Sequence, residues 1–207
     1  MTSAENWETV HRTKPPTDTS WFEPEPEVSL HLVESVAGPM SSLIDIGAGT
    51  SFLADRLVQR GWHDITLLDV STTALTDTRA RYVNAEVEPD LVIADVTEWI
   101  PRRTFDVWHD RAVFHFMSTP ELRDRYRRAL SHAVRPGGHA VIGTFAENGP
   151  QQCSGINVAR YSVTSLVAEF DPAFRCVASE QHVHHTPWGA EQPFTWVVLQ
   201  RSDGALP

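Results

Sequence analysis

The sequence SLIDIGAGTSFL at Ser42–Leu53 decides the fold. A short apolar run interrupted by Asp45 leads into Gly47-Ala48-Gly49, and residues 50–60 then carry apolar side chains at helical spacing. This pattern predicts a buried β-strand, a tight glycine turn and an α-helix. Because glycines adopt unusual dihedrals and carry no Cβ, such a turn lets backbone N–H groups and the positive helix end approach a ligand. We therefore expect a nucleotide-like cofactor at this turn.

The charge of Asp45 narrows the class of cofactor. A dinucleotide places anionic pyrophosphate oxygens against the glycine turn, where a carboxylate two residues before the first glycine would repel them. S-adenosylmethionine instead carries an ammonium and a sulfonium, has no phosphate, and still needs a Rossmann-like cradle for its adenosine. In Asp45-Ile46-Gly47-Ala48-Gly49 the chain resembles class I S-adenosylmethionine-dependent methyltransferases, with Ser51 in place of the family's third glycine. The resemblance implies S-adenosyl-L-methionine as cofactor, held at Asp45, Gly47, Ala48 and Gly49.

Two more acids stand at the ends of predicted strands. Asp69 closes the strand at 64–69, at the spacing from Gly49 at which nucleotide folds place an acid against both ribose hydroxyls. The alternative is a helix cap. The resemblance implies that Asp95, which follows the strand at 91–94, accepts a hydrogen bond from the adenine amino group and that the N–H of Val96 donates to adenine N1. A plain turn aspartate is the alternative. We also expect cofactor contacts from Val70 and His109.

The segment after the predicted strand at 104–108 supplies the candidate catalytic residues. Ligands of open parallel sheets bind beyond the carboxyl ends of strands, where the strand order reverses, so His109, Asp110, Arg111 and His115 should face the transferred methyl. Imidazoles titrate near neutrality, which makes the two histidines candidate bases, and Asp110 would orient one of them or attract a cationic substrate. Alternatively, His109 offers only its backbone and His115 is a packed aromatic.

The resemblance extends along the chain to residue 145. The segment Phe105-Asp106 to Asp110-Arg111 is similar to that of thiopurine S-methyltransferase-like enzymes and, more loosely, of small lysine methyltransferases, which carry glycine in place of Ala112. A Pro-Gly-Gly turn at 136–138 also matches the family. The family fold implied is α/β: a Rossmann-like, seven-stranded, mostly parallel sheet with an antiparallel last strand and helices on both faces.

Residues 1–37 are expected to form an N-terminal arm and docking helix ahead of a methyltransferase domain at 38–207. Beyond a helical period at 6–12, prolines favour an extended arm, and Trp21 and Phe22 either cover the ligand as a lid or fasten the arm to the surface. The docking helix is predicted at 27–37. We expect substrate contacts from these two aromatics and from Arg111. Loops that open on the ligand face add Cys153, Arg160, Tyr161, His185, Trp188 and Gln192.

Composition limits the partners. The 207 residues are 41% hydrophobic, carry a formal charge of −10, and contain no apolar run that predicts a transmembrane helix or signal peptide. We therefore expect a cytoplasmic protein that binds neither nucleic acid nor membrane, and a small-molecule substrate rather than a protein. No metal is expected at His182–His185, because alternation on a strand separates His185 from His182 and His184.

These observations predict methyl transfer to a nucleophilic N, S or O atom of a small molecule by in-line displacement. Three alternatives stay open. The first is a protein lysine methyltransferase. The second is an NAD-dependent oxidoreductase, which would need glycine in place of Phe52. The third is a noncatalytic nucleotide-binding module that keeps the pocket as a scaffold for a partner.

Overall fold

The structure is a computed structural model that describes residues 3–203. Its helices are α1 Ser3–Thr13, α2 Glu27–Glu34, α3 Leu53–Gln59, α4 Thr72–Ala80, α5 Pro120–Ala133 and α6 Val163–Ala168. Its strands are β1 Ser42–Ile46, β2 Asp64–Asp69, β3 Asp90–Ile93, β4 Phe105–Arg111, β5 Val134–Phe145, β6 Gln152–Cys153, β7 Ile156–Asn157, β8 Phe174–His185 and β9 Glu191–Arg201. Short 3-10 helices lie at Pro16–Asp18 and Phe114–Phe116.

The main sheet has seven strands in the order β3-β2-β1-β4-β5-β9-β8. Strands β1 to β5 pair in parallel, and β9 runs antiparallel to both β5 and β8. The order reverses between β1 and β4, which places the expected ligand crevice at the carboxyl ends of these two strands. The predicted Rossmann-like sheet with its antiparallel last strand is confirmed.

Helices cover both faces of this sheet. Apolar side chains of α2, α3 and α4 pack on one face with Val107 and Trp196, whereas those of α5 and α6 pack on the other with Trp108. Successive residues of β4 therefore point to opposite cores, since side chains alternate across a strand. This alternation decides what the chemically active residues of β4 can reach.

Two element boundaries differ from the sequence-based expectation in ways that affect the site. Strand β4 was expected to end at Trp108, but it continues to Arg111 because His109 pairs with Asp45 of β1 and Arg111 with Gly143 of β5. The docking helix ends at Glu34, three residues before the expected end at Ala37. In the described residues, no helix is long and apolar enough to cross a membrane.

Candidate active site

A cavity of about 520 Å³ opens at the carboxyl ends of β1, β2, β3 and β4. Its wall on the strand side is made by the ends of these strands and by the glycine turn after β1, and its outer wall by α1 and the arm at residues 14–26. Small-molecule sites have volumes of roughly 300 to 1,000 Å³, so this cavity has the size of a ligand pocket. It lies at the crevice that the strand order predicts.

The glycine turn is shaped by close packing. Gly47 and Gly49 have positive φ angles of 62° and 51°, a region that costs residues with a Cβ. The N–H groups of Gly47 and Ala48 donate to Leu68 O of the neighbouring strand, at 2.7 and 3.1 Å. A Cβ on Gly47 would lie 2.2 Å from the side chain of Val113, so this position has no room for any side chain.

Asp69 is buried at the end of β2, and its two oxygens face backbone donors. It accepts hydrogen bonds from the N–H of Gly49 and of Ser71, each at 2.8 Å. Burial raises the pKa of Asp69, while these bonds and the nearby ring of His11 oppose that rise. Each carboxylate oxygen keeps a further lone pair that can accept from a ligand hydroxyl.

Asp45 forms one end of a buried polar chain. His109 Nδ1 lies 2.7 Å from Asp45 Oδ1, and His109 Nε2 lies 2.9 Å from Ser29 Oγ on α2. All three residues are buried, and Ser29 does not line the cavity. Because both ring nitrogens have partners, the position of His109 is fixed and neither nitrogen is free to take a proton from a substrate.

The expectation that Asp110 and His115 face the methyl group is not met by their positions, since neither lines the cavity. Asp110 points to the opposite core, where it accepts from the N–H groups of Val113 and Phe114 and from the Tyr126 hydroxyl at 2.8, 3.0 and 2.5 Å. Burial raises the pKa of Asp110 to about 6. The prediction was wrong because it ended β4 too early and so missed the strand alternation.

His115 is a packed core residue, which was the alternative open at the sequence level. Its ring centroid lies 4.4 Å from that of Phe116 and 4.7 Å from that of Phe145. Within the described residues neither ring nitrogen has a hydrogen-bond partner, and burial lowers the pKa of His115 to about 3. The ring is therefore neutral at physiological pH.

Three side chains hold the arm over the cavity, and we call them the arm clamp: Glu23, Arg111 and His184. Glu23 Oε1 lies 3.0 Å from Arg111 Nη2 and 2.9 Å from His184 Nδ1. Arg111 also donates to Trp21 O at 2.8 Å, and His184 Nε2 lies 2.7 Å from Ser20 O. The clamp thus joins the arm to β4 and β8.

In the described residues, five Trp and Phe side chains line the cavity: Trp7, Trp21, Phe22, Phe52 and Phe116. Trp21 and Phe22 do so as predicted, together with Trp7 and Phe116, which the sequence analysis missed. Trp7 makes edge-to-face contacts with Trp21 and Phe116, with ring centroids 5.6 and 5.3 Å apart. Helix α1 brings Trp7 there because Glu8 on the same helix accepts from the hydroxyl of Ser71 at 2.8 Å.

All nine residues predicted to bind the cofactor line the cavity: Asp45, Gly47, Ala48, Gly49, Asp69, Val70, Asp95, Val96 and His109. Of the residues predicted to bind substrate, Cys153 also lines it, and burial raises the pKa of that thiol to about 11. The structure places five others outside the cavity lining: Arg160, Tyr161, His185, Trp188 and Gln192.

The misplaced residues have identifiable structural reasons. Tyr161 is buried against Phe114, at 5.6 Å between ring centroids, and Arg160 donates to Gly149 O. Trp188, at 62% exposure, lies at the tip of the β8–β9 hairpin. On β8, His184 points toward the arm and its neighbour His185 lies on the opposite, exposed side of the strand. The sequence-based prediction therefore chose the wrong one of these two histidines.

Several cavity residues were not predicted from sequence, among them Asn6, Trp7, His11, Glu23 and Phe116. For Asn6, Trp7 and His11 a signal existed, because they recur at helical spacing in α1 and share one face. Glu23 gave no such signal, since its role depends on residues far away in the chain. The roles of these residues follow from tertiary packing.

The cavity residues fit a cationic adenosine derivative better than a pyrophosphate. Three carboxylates, of Asp45, Asp69 and Asp95, lie along the strand side. Asp95 Oδ1 accepts from the N–H and hydroxyl of Thr97 at 2.8 and 2.7 Å, which fixes its position. Among the lining residues that the structure describes, Arg111 is the only Arg or Lys, and it is already paired with Glu23. The charge of this guanidinium is thus already offset by a carboxylate, which a phosphate group would have to displace.

A comparison with protein families matches slightly less than half of the chain. Residues 43–138 match a family model described as a methyltransferase domain. This match covers the glycine turn, Asp69, Asp95 and the whole of β4. No protein of curated function matches the chain.

Solved structures share the fold over nearly the whole chain. One solved structure comes from work on the conversion of a disulfide bond into a thioacetal group during echinomycin biosynthesis. Its protein is 22% identical to this chain, with a TM-score of 0.77 over 98% of this chain and 94% of that one. The Burkholderia thailandensis 1,6-didemethyltoxoflavin-N1-methyltransferase is 18% identical, with a TM-score of 0.70 over 97% and 84%. The N-methyltransferase NodS from Bradyrhizobium japonicum, solved with S-adenosylhomocysteine, is 15% identical, with a TM-score of 0.71 over 96% and 100%.

Proposed function

We propose that the protein is a class I, S-adenosylmethionine-dependent methyltransferase that transfers a methyl group to a nucleophilic atom of a small molecule, since residues 43–138 match a methyltransferase-domain family model. The observation that carries the proposal is the cover over the cavity: α1 and the arm close it from outside through Trp7, Trp21 and Phe22. A side chain of a folded protein would have to displace this cover, whereas a small molecule fits beneath it.

S-adenosylmethionine is the cofactor, and the residues along the strand side would divide its recognition between them. We propose that the glycine turn and Asp45 receive its methionine end, because the carboxylate of Asp45 attracts the ammonium group. Asp69 would accept from the ribose hydroxyls, and Asp95 with the N–H of Val96 would recognise adenine. When bound, the cofactor supplies an already activated methyl group, so the protein has to position the acceptor and exclude water.

The arm, in this proposal, is a lid. Arg111 and His184 hold Glu23 above the cavity, and the aromatic side chains of the arm would exclude water from the methyl-transfer zone. Two comparison proteins are described in terms of small-molecule chemistry, which agrees with this use of the fold. Both cysteines, Cys153 and Cys176, are unpaired, and we place the protein in the reducing cytoplasm on that basis.

Calorimetry and a labelled extract test the proposal together. We expect S-adenosylmethionine and S-adenosylhomocysteine to bind with one site per chain and NAD not to bind. Purified protein incubated with methyl-labelled S-adenosylmethionine and a cell extract should place the label in the low-molecular-weight filtrate. Label in protein bands would instead indicate a protein methyltransferase, and cofactor binding without any transfer would indicate a noncatalytic module. Binding of NAD alone would refute the cofactor assignment.

A further inference from the structure

We propose that His11 is a cofactor-binding residue, which donates to a ribose hydroxyl of S-adenosylmethionine from the outer wall of the cavity while Asp69 accepts from the ribose on the strand side. Helix α1 would then close over the cofactor as well as over the methyl acceptor. This inference rests on the proposed methyltransferase function and adds a contact that couples cofactor binding to the cover. Three observations carry it: the position of the His11 ring, its hydrogen-bonding capacity and the anchoring of α1.

The ring of His11 lies beside the carboxylate to which we assign the ribose. Its Cε1 and Nε2 atoms lie 3.4 and 3.7 Å from the point that a Cβ on Gly49 would occupy, and Asp69 Oδ2 lies 3.7 Å from the same point. All three residues line the cavity. A ligand hydroxyl that donates to Asp69 is therefore close to the imidazole of His11.

The His11 ring has hydrogen-bonding capacity that the protein itself does not use. Among residues 3–203, neither ring nitrogen has a hydrogen-bond partner. The aromatic contact of the ring is with Trp21, at 6.1 Å between ring centroids and 66° between ring planes. A ligand is thus the available partner for these nitrogens within the cavity.

The charge state of His11 suits a neutral hydroxyl. Burial lowers the pKa of His11, and the nearby carboxylates of Asp69, Glu8 and Asp77 only partly oppose this. The ring is therefore neutral at physiological pH, with one N–H donor and one acceptor nitrogen.

The two residues complement each other in what they offer a sugar hydroxyl. An ionised carboxylate such as Asp69 can only accept, so it uses the hydrogen of the hydroxyl and leaves the lone pairs of the oxygen unused. The N–H of a neutral imidazole can donate to one of these lone pairs. His11 and Asp69 together would therefore complete the hydrogen bonding of one ribose hydroxyl.

Helix α1 is anchored so that His11 keeps this position. Glu8, one helical turn before His11, accepts from the hydroxyl of Ser71 at 2.8 Å and from the N–H of Thr73 at 3.2 Å. The N–H of Ser71 in turn donates to Asp69 at 2.8 Å. The same short loop thus fixes both the ribose carboxylate and the helix that carries His11, so their spacing is set before a ligand binds.

This position favours a cofactor contact over a role of His11 as base. A base has to lie within hydrogen-bond distance of the proton that it removes from the acceptor. His11 lies instead beside Gly49 and Asp69, where the ribose is assigned. The two roles predict different results, because loss of a cofactor contact weakens cofactor binding, whereas loss of a base lowers turnover and leaves that binding unchanged.

The first experiment measures the affinity for S-adenosylhomocysteine by calorimetry. His11→Phe keeps an aromatic ring beside Trp21 but has no nitrogen, so we expect roughly 3- to 10-fold weaker binding, as for the loss of one neutral hydrogen bond. Arg12→Gln is the matched control on the same helix, because that exposed side chain does not line the cavity, and its affinity should equal the wild type. Equal affinities of His11→Phe and the wild type would overturn the proposal.

The second experiment identifies the group that His11 binds. The 2′-deoxy and 3′-deoxy analogues of S-adenosylhomocysteine each lack one ribose hydroxyl. We expect the analogue that lacks the hydroxyl facing His11 to bind the wild type and His11→Phe with affinities within about twofold of each other, whereas S-adenosylhomocysteine shows the full difference. If S-adenosylhomocysteine and both analogues lose the same factor in His11→Phe, the ring acts through shape alone and the ribose contact is refuted.

The third experiment tests the coupling to α1 by hydrogen exchange with mass spectrometry, in peptides within residues 5–13. At saturating S-adenosylhomocysteine, we expect the exchange of these amides to slow roughly threefold more in the wild type than in His11→Phe, because the contact holds α1 closed. Equal slowing in the two proteins would contradict the coupling.

Failure of this inference and failure of the proposed function give different results. If the wild type binds S-adenosylhomocysteine and His11→Phe binds it equally well, the proposed methyltransferase function stands and only the role of His11 is wrong. If the wild type does not bind S-adenosylhomocysteine, the proposed function itself fails.

Discussion

Replacing Glu23 by Gln should release the arm from the cavity. The carboxylate of Glu23 faces the guanidinium of Arg111 and the ring of His184, and the three side chains are 22%, 15% and 5% exposed. The amide of the variant is nearly isosteric but uncharged, so Arg111 would lose its counter-ion while keeping the carbonyl of Trp21 as acceptor. The variant therefore removes the charge of the arm clamp and leaves its shape.

The size of the effect follows from this partial burial. Removing one partner of a fully buried ion pair costs roughly 3 to 5 kcal/mol, and the residual exposure of Glu23 and Arg111 reduces this to about 2 kcal/mol. The loss should appear as easier local opening of the arm, since the clamp contacts join only the arm to β4 and β8. About 2 kcal/mol corresponds to roughly 30-fold faster hydrogen exchange in the arm.

Hydrogen exchange with mass spectrometry can measure this opening. The Phe22 amide donates to Thr19 O at 3.2 Å, so peptides spanning residues 19–23 report on the arm, and peptides spanning β1 report on the core. Glu25→Gln is the matched control, because Glu25 in the same arm pairs with Arg56 at the surface. Equal arm exchange in Glu23→Gln and Glu25→Gln would refute the clamp. An equal acceleration of exchange in β1 and in the arm of Glu23→Gln would refute it as well.

The same reasoning gives a pH dependence. The pKa of Glu23 is lowered in the folded protein. The stability that its carboxylate gives to the arm clamp is therefore complete above the ordinary pKa of 4.5 and is lost as the pH falls through the lower folded pKa. We expect arm exchange, corrected for its intrinsic pH dependence, to rise below about pH 4.5 in the wild type but not in Glu23→Gln.

Three further predictions concern single buried side chains. Asp69→Asn should weaken S-adenosylmethionine binding by roughly 10- to 100-fold in calorimetry, because hydrogen bonds to charged groups contribute about 1.5 to 3 kcal/mol; an unchanged dissociation constant would contradict the ribose assignment. His115→Leu should leave the free energy of unfolding in urea unchanged or higher, since the unpartnered ring nitrogens are lost, and a large loss would show a hidden partner. Tyr126→Phe should destabilise by about 1 to 3 kcal/mol in the same assay, because the hydroxyl donates to Asp110 and accepts from Trp108; an unchanged midpoint would count against this network.

The parts of the site that lie near one another in sequence could be predicted. Gly47 and Gly49 are set by a local turn, Asp69 ends β2, and Asp95 lies two residues after the end of β3, so a strand–turn–helix pattern places them at one edge of the sheet. The fold followed from the same pattern, because alternating strands and helices favour a parallel sheet with right-handed crossovers.

The residues that depend on strand length or on distant packing could not be predicted. Three extra residues in β4 send Asp110 to the core of α5, and this extension depends on pairing with β1 and β5. Glu23 and His184 meet only because the β8–β9 hairpin returns beside the arm, a contact across most of the chain. Local sequence patterns carry no information on such contacts, so they are found only in the folded structure.

The span of the arm clamp in sequence has a consequence for biosynthesis. Ser20 and its partner His184 are separated by 164 residues, and Trp21 and Arg111 by 90. A ribosome therefore releases the glycine turn, Trp7 and Trp21 long before the last partner of the arm emerges. Contacts of such long range form late and slowly. Trp7 and Trp21 therefore lack Phe116 and Arg111 as partners until more than half of the chain has been synthesised.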